Sequence, residues 1–406
     1  MCIRLVSIGR LVSIGASAGV LSVLVCLTPA GVTVADDASA TAAGVVLKTP
    51  WGEADLQGIW TDETDTPLQR PAKYASQEFF TETQRAELDE ARAALYGSDP
   101  HGKRGTELDV AGAYNLAVFL STKHTGGRTS LIVNPPDGRM PPLTPEAAKI
   151  AAAEREFHLA LLQSTETCRT KSVECAGGKY DPTPSPRRGE IAPRYNLAHI
   201  NRDDGPEDHW PNDRCLTGGL PEFGTPFGGS FRRIVQSPGG IAMFYDVGQG
   251  QGWQRNIAMN GSPHLPTSIR QWFGDSRGHW EGNTLVIDVT NFSPKTDYFG
   301  SRENLHLIER WTRTGPSSLA YEVTVDDPTV WTNAWTVRQE FTKQSEQQNR
   351  IYYEPRCIEG NYGLPGLLRG RRMEEQAFAE GRGPDPATRD SIKGLEGTSL
   401  SEDPLR

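Results

Sequence analysis

The stretch His264 to Trp311, HLPTSIRQWFGDSRGHWEGNTLVIDVTNFSPKTDYFGSRENLHLIERW, decides the fold. Inside it, Thr284 to Thr290 sets Thr284, Val286, Asp288 and Thr290 against Leu285, Ile287 and Val289, and successive residues of a strand point to opposite faces. Asn304 to Arg313 repeats the pattern, with Asn304, His306, Ile308 and Arg310 on one side and Leu305, Leu307, Glu309 and Trp311 on the other. Each segment is therefore a strand with one mainly apolar face and one mixed polar face.

Similar segments flank this pair at short, regular spacing. On the N-terminal side come Arg232 to Gln236, Ile241 to Val247, Trp253 to Met259 and Ser268 to Phe273; on the C-terminal side come Leu319 to Val325, Trp335 to Phe341 and Asn349 to Tyr353. Ser237-Pro238-Gly239-Gly240, Glu281-Gly282-Asn283 and Thr314-Gly315-Pro316 supply turns, and Asn260-Gly261 is a strong two-residue hairpin signal. Gly274 to Gly278 and Ser293 to Glu303 read as longer loops. The expected fold is mainly β: an antiparallel meander that closes as a lipocalin-like barrel or folds into a sandwich, with two or so peripheral helices.

The helices are read at Ser76 to Tyr96, where Leu88, Ala91 and Leu95 recur at helical spacing, and at Thr144 to Gln163. In the second, Thr144 is an N-cap, Pro145 occupies the first position, and Ala148, Ile150, Ala151, Phe157, Leu161 and Leu162 form the expected buried face. The chain then divides into 1–35, a signal peptide; 36–165, an entry segment and helices; 166–230, a long irregular rim or lid; 231–357, the β domain; and 358–406, an extension whose polar tail after Glu380 is expected to be loose.

The leader reading rests on Arg4 and Arg10, the apolar run Leu11 to Leu27 and the small-residue site Thr33-Val34-Ala35. The run approaches the roughly 20 residues of a membrane span, but its Gly and Ser content and the following Asp36-Asp37 favour cleavage, so no span is expected in the mature chain. Export follows, to a periplasmic or extracellular location. Cleavage leaves Cys168, Cys175, Cys215 and Cys357, an even set that allows three disulfide pairings; Cys168 with Cys175 and Cys215 with Cys357 are favoured. A cysteine metal site is disfavoured, since no C-x-x-C pair occurs. A net charge of -9 among 406 residues argues against sequence-independent nucleic-acid binding.

Arg128 to Arg139, Arg214-Cys215-Leu216, His264 to Phe292 and Cys357 to Gly363 together resemble a large, uncharacterised family of exported bacterial proteins. The resemblance covers most of the mature chain. It implies export and a shared β-rich fold, and it carries over no activity, cofactor or catalytic residue.

The chemistry must come from the side chains. His306 with Asp288, and His264 with Asp275, are candidate acid-base pairs for hydrolysis, elimination or isomerisation, because imidazole exchanges protons near neutral pH. Arg270, Trp272, Arg277, Trp280, Asn304 and Trp311 are the candidate ligand contacts for a small organic or sugar-like molecule. A metal held by His264, His279 and His306 lacks the tight histidine spacing of zinc enzymes. Gly274 to Gly278 spells G-x-S-x-G, but no helix follows Ser276 as a nucleophile elbow requires. No metal or organic cofactor is expected. An enzyme, a binder and a non-enzymatic envelope module all remain open, and oligomeric state is not legible. The deciding fact is whether the polar face of Asn304 to Arg310 looks into the barrel or out; if out, the tryptophans are core and the histidines surface.

Overall fold

The computed structural model describes residues 47–62, 64–96, 124–195, 201–209, 214, 216, 219–223, 231–246, 252–345 and 362–389. The leader, Cys215, Cys357 and the expected strand Asn349 to Tyr353 lie outside them. In chain order the first part holds β1 (Gly58–Thr61), β2 (Thr64–Asp65), α1 (Glu82–Tyr96), β3 (His124–Thr125), β4 (Ile132–Asn134), α2 (Pro145–Leu162) and α3 (Glu166–Arg169). The β domain follows as β5 (Phe231–Ser237), β6 (Gly240–Asp246), β7 (Gly252–Ala258), β8 (Asp275–Glu281), β9 (Thr284–Thr290), β10 (His306–Arg313), β11 (Ser318–Asp326) and β12 (Trp335–Lys343), before α4 (Gly363–Ala379).

Strands β5 to β12 pair in sequence order, and β1 bridges β5 to β12, closing a barrel. The closure is made at Trp60, which faces Arg232 of β5 and Lys343 of β12. The sequence reading treated this segment only as an entry that docks; four residues are too short for a periodicity signal. Trp60 itself is fully buried, with its indole N–H donated to the Leu56 carbonyl at 2.8 Å. Strand β4 adds to the other end of β12.

One link breaks the meander. β7 and β8 touch in parallel, through Ala258 and Arg277. Asn260-Gly261 therefore does not form the expected hairpin: Asn260 Oδ1 accepts from the amide and hydroxyl of Ser262, and Pro263 and Pro266 deny the chain ladder donors. Ser268 to Phe273 is likewise no strand but part of a crossover, fixed by the Gln271 amide on the Asn291 carbonyl at 3.0 Å. The strand lies instead at Asp275–Glu281, over the segment read as a loop. Gly278 is needed there because a Cβ would stand 2.4 Å from Met259 Sδ, where the crossover returns over the wall.

The interior is packed. Leu285, Ile287, Val289, Leu307, Trp311, Val323, Val325, Trp335 and Val337 are all fully buried. Trp311 stacks on Tyr321 with ring centroids 4.1 Å apart, and full burial of each large side chain stabilises by roughly 1.5–3 kcal/mol. Among these apolar residues lies an ion pair: Arg255 of β7 meets Glu309 of β10, and the Tyr321 hydroxyl donates to Glu309 Oε1 at 2.7 Å. Burial opposes charge on Arg255, but Glu309 more than restores it and holds the guanidinium protonated. Burial, then Glu309, pushes the Tyr321 phenol well above its ordinary value.

Helix α2 begins as the sequence indicates, with Thr144 Oγ accepting from the Ala147 amide at 3.2 Å. Its cap is tied to the β11–β12 loop through Thr144 N–H on the Val330 carbonyl and Thr144 Oγ–H on the Thr329 carbonyl, both 2.9 Å. Its buried residues lie in the second half: Phe157, Leu161 and Leu162 are buried, while Ala148 and Ala151 are exposed and Ile150 is 54% exposed, contrary to the expected face. In the first half Ala147 packs against the barrel core, while Ile150 lines a groove open to solvent. Beyond α2, Cys168 and Cys175 form the expected disulfide. Helix α4 had no strong sequence signal, and the chain stays folded past Glu380: Pro386 is buried, with its carbonyl accepting from Arg371 at 2.8 Å.

Candidate functional site

The burial alternation of β10 settles which face looks inward. Leu307, Glu309 and Trp311 are buried, whereas His306, Ile308 and Arg310 are half-buried on the outer wall. Asp288 of β9 is on the same outer side. The polar face therefore does not line the lumen, and the tryptophans Trp311 and Trp335 are core.

The outer wall nonetheless gathers all four candidate acid-base residues. Cross-strand register puts Arg277 of β8 opposite Asp288 of β9, and Asp288 opposite Ile308 of β10, so His306 falls diagonally across from Asp288. The β7–β8 crossover then lays His264 over them. His264 Nδ1 is 2.8 Å from Asp275 Oδ2, His264 Nε2 is 3.3 Å from Asp288 Oδ1, and His306 Nε2 is 2.9 Å from the same oxygen.

Asp275 is the fixed end of this chain. Its side chain is 8% exposed and takes both Nε and Nη2 of Arg277 at 2.9 Å, as well as the Leu265 amide at 3.0 Å. Burial alone would raise its pKa, but Arg277, the Leu265 amide and His264 outweigh it and hold the carboxyl below the ordinary aspartate range. Ser262 buttresses the arrangement, accepting from Arg277 Nη1 at 2.6 Å.

The proton bookkeeping follows from donor counts. An ionised carboxylate only accepts, so His264 must carry hydrogen on Nδ1. Its Nε2 lies 3.3 Å from Asp288 Oδ1, a charge contact without the alignment of a hydrogen bond. His264 is thus oriented by the Asp275 carboxylate behind it, with its other nitrogen toward Asp288. His264, Asp288 and His306 are 28%, 40% and 39% exposed, open to a solute on the outer wall.

The other candidates are dispersed. Arg270 bolts the crossover to the next loop, donating to the Phe292 and Glu303 carbonyls at 3.2 and 2.6 Å. Trp272 is half-buried in the crossover. Trp280 packs against the barrel core and Trp311 lies wholly inside it, so neither indole faces the outer wall cluster. Asn304 sits in the turn before β10, with its amide 3.5 Å from Thr329 Oγ1. His279 is exposed and meets Glu281 at 3.3 Å, apart from His264 and His306. Among the described residues no three His, Cys, Asp or Glu side chains are grouped to hold a metal. Ser276 is buried within β8, on no elbow.

Sequence reading missed two features. Glu309, alone among apolar neighbours on the inner face, was the signal for a buried partner, and Arg255 supplies it. The second is a groove of about 340 Å³ between α2 and the β9–β10 and β11–β12 loops, lined in part by Ile150, Arg194, Phe299 and Asn304. Its Asn304 and the catalytic candidate His306 are two residues apart, so their Cα atoms are separated by no more than about 7 Å.

No family model and no curated protein sequence matches the chain. Two solved structures are similar over 29% of it and 73% of their own length: a secretary abundant heat soluble protein from Ramazzottius varieornatus, at 12% identity and a TM-score of 0.21, and a single-residue mutant of the fluorescent protein UnaG, at 13% identity and a TM-score of 0.19. At those scores the likeness carries no argument, and the barrel stands on its own strand pairing.

Proposed function

We propose that this protein is an exported barrel that binds a small organic molecule on its outer wall and moves a proton on it through His264, Asp288 and His306. The observation that carries the reading is the pair of imidazole Nε2 atoms on one carboxylate oxygen, at 3.3 and 2.9 Å, with His264 oriented from behind by Asp275. Two imidazoles that share a carboxylate can take a proton at one position and return it at another, as elimination, isomerisation and hydrolysis all require. Export is supported by the leader layout and by the Cys168–Cys175 disulfide, which persists in oxidising compartments. No described helix is long and apolar enough to cross a membrane.

The test is turnover of a panel of aryl esters and aryl glycosides by the mature chain, alongside His264→Gln, Asp288→Asn and His306→Ala. Loss of a general acid-base group lowers kcat by about 10²–10⁴-fold, and a bell-shaped pH profile is expected to flatten in each variant. Turnover unchanged in all three variants would exclude this role. A second reading, an envelope interaction module, is favoured by α4, which displays Leu367 and Met373 at 53% and 62% exposure; no turnover on any substrate, with α4 substitutions abolishing envelope association, would support it.

A further inference from the structure

The groove beside the relay is built from an apolar wall, an aromatic platform and paired charges. Phe299 is 51% exposed at its rim, in a turn where Tyr298 and Ser301 exchange backbone hydrogen bonds of 2.8 and 3.0 Å. Phe299 has φ +50° and Gly300 φ +94°, the double left-handed pattern of a type I′ turn. Asn or Gly occupies that first position readily; a bulky aromatic residue there is a steric outlier, and such strain persists where the surroundings impose it, commonly at ligand sites. The ring is braced edge-on by Tyr298, with centroids 4.9 Å apart. Facing it across the groove, Ile150 and Leu143 are 54% and 39% exposed.

Much of the polar lining is already held in ion pairs and hydrogen bonds. Arg194 bridges Glu154 and Asp297 at 3.0 and 2.8 Å. Glu146 meets Lys149 at 3.4 Å, and Asp327 accepts from the hydroxyls of Ser301 and Thr329 at 2.5 and 2.6 Å. An anionic ligand would find two arginines, Arg194 and Arg302, against four carboxylates, Glu146, Glu154, Glu303 and Asp327. The count disfavours an anion, and with Glu146, Glu154 and Asp327 engaged within the protein a neutral occupant fits. It needs an apolar face for Phe299 and hydroxyls for planar groups such as Asn304 and Glu303.

The geometry points to a neutral saccharide as the ligand of this groove, a sugar ring lying on Phe299 with its hydroxyl edge toward Asn304 and Arg302. Pyranose rings combine a C–H face with a hydroxyl rim, and the volume of about 340 Å³ is in the range of small-molecule sites. This rests on the proposed function only in making the bound sugar the substrate of the relay; binding is measured without turnover.

The mature chain is titrated with cellobiose, maltose, xylobiose and N,N′-diacetylchitobiose, with dodecanoate and choline as charged controls, by calorimetry and ligand-observed NMR. At least one disaccharide binds at millimolar concentration or below, and Phe299→Gly weakens it by about tenfold, the scale of a lost aromatic contact. The same substitution relieves the positive φ, so its melting temperature stays level or rises, which separates a lost platform from a damaged fold. Equal binding by Phe299→Gly, no disaccharide binding up to about 10 mM, or binding of dodecanoate or choline in place of the sugars would each overturn the assignment. Sugar binding without turnover keeps the groove and removes the relay as its catalyst; turnover of aryl esters without sugar binding does the reverse.

Discussion

At the residue scale, the most informative group is Asp275, because Arg277, the Leu265 amide and His264 converge on it and fix the proton on His264 Nδ1. Asp275→Asn removes the charge and one of the two oxygens that accept from Arg277, and loosens the His264 ring. The expected cost is about 1–3 kcal/mol, that of leaving buried donors with a poorer partner. The pH dependence has a definite sign. The folded carboxyl titrates below the ordinary aspartate value, so its contribution is full above about pH 3.9 and fades as pH falls through the lower folded value. Thermal melts across pH 2 to 7 should show wild type and Asp275→Asn converging only at the acid end; a constant offset would mean that the carboxylate contributes no charge-dependent stability. The same contact predicts a protonated Nδ1 on His264, which nitrogen-15 NMR of the imidazole reads directly.

At the element scale, the barrel depends on its shortest wall strand. β1 has four residues, yet it supplies the pairing that joins β5 to β12, and Trp60 fills the seam. Trp60→Ala is expected to cost about 3–5 kcal/mol, as other large-to-small changes of buried aromatics do. Denaturant unfolding measures it, and a loss under 1 kcal/mol would show that β1 merely rests on the barrel. The α3 region is held differently. The Cys168–Cys175 bond closes a loop with a sequence separation of 7, which in the chain-entropy account contributes about 2–3 kcal/mol. Reduction should therefore loosen this segment while β-sheet circular dichroism persists, because the bond lies outside the barrel wall.

At the scale of the whole molecule, the interior is organised around a charge pair that the apolar core must tolerate. Glu309→Gln leaves Arg255 buried without its counter-charge, and breaking one side of such a pair costs about 3–5 kcal/mol. Replacing both, as Arg255→Met with Glu309→Leu, should recover most of that loss, since the desolvation penalty disappears with the charges. Urea titration of the two variants distinguishes a stabilising pair from a tolerated one. A packed interior also explains why binding is assigned to the outside: the lumen is filled by Trp311, Tyr321 and their neighbours, and a groove opens beside α2.

What the sequence determined by itself was local. The alternation of Thr284 to Thr290 and of His306 to Arg313 specified strands, Thr144-Pro145 specified the start of α2, and the nearness of Cys168 to Cys175 favoured the bond that the structure shows. The histidines and aspartates of the outer-wall cluster were legible as candidates, but not their arrangement. Tertiary structure decided the rest, because it turned on non-local pairing. Glu309 faces inward with Leu307 and Trp311, and its charge is tolerated there because Arg255, 54 positions earlier in the chain, meets it. His264 meets Asp288 only because the β7–β8 crossover runs parallel where Asn260-Gly261 signalled a hairpin. Alternation tells which side chains share a face; it does not tell which face is enclosed, and that depends on register between strands that the chain brings together only when the barrel closes.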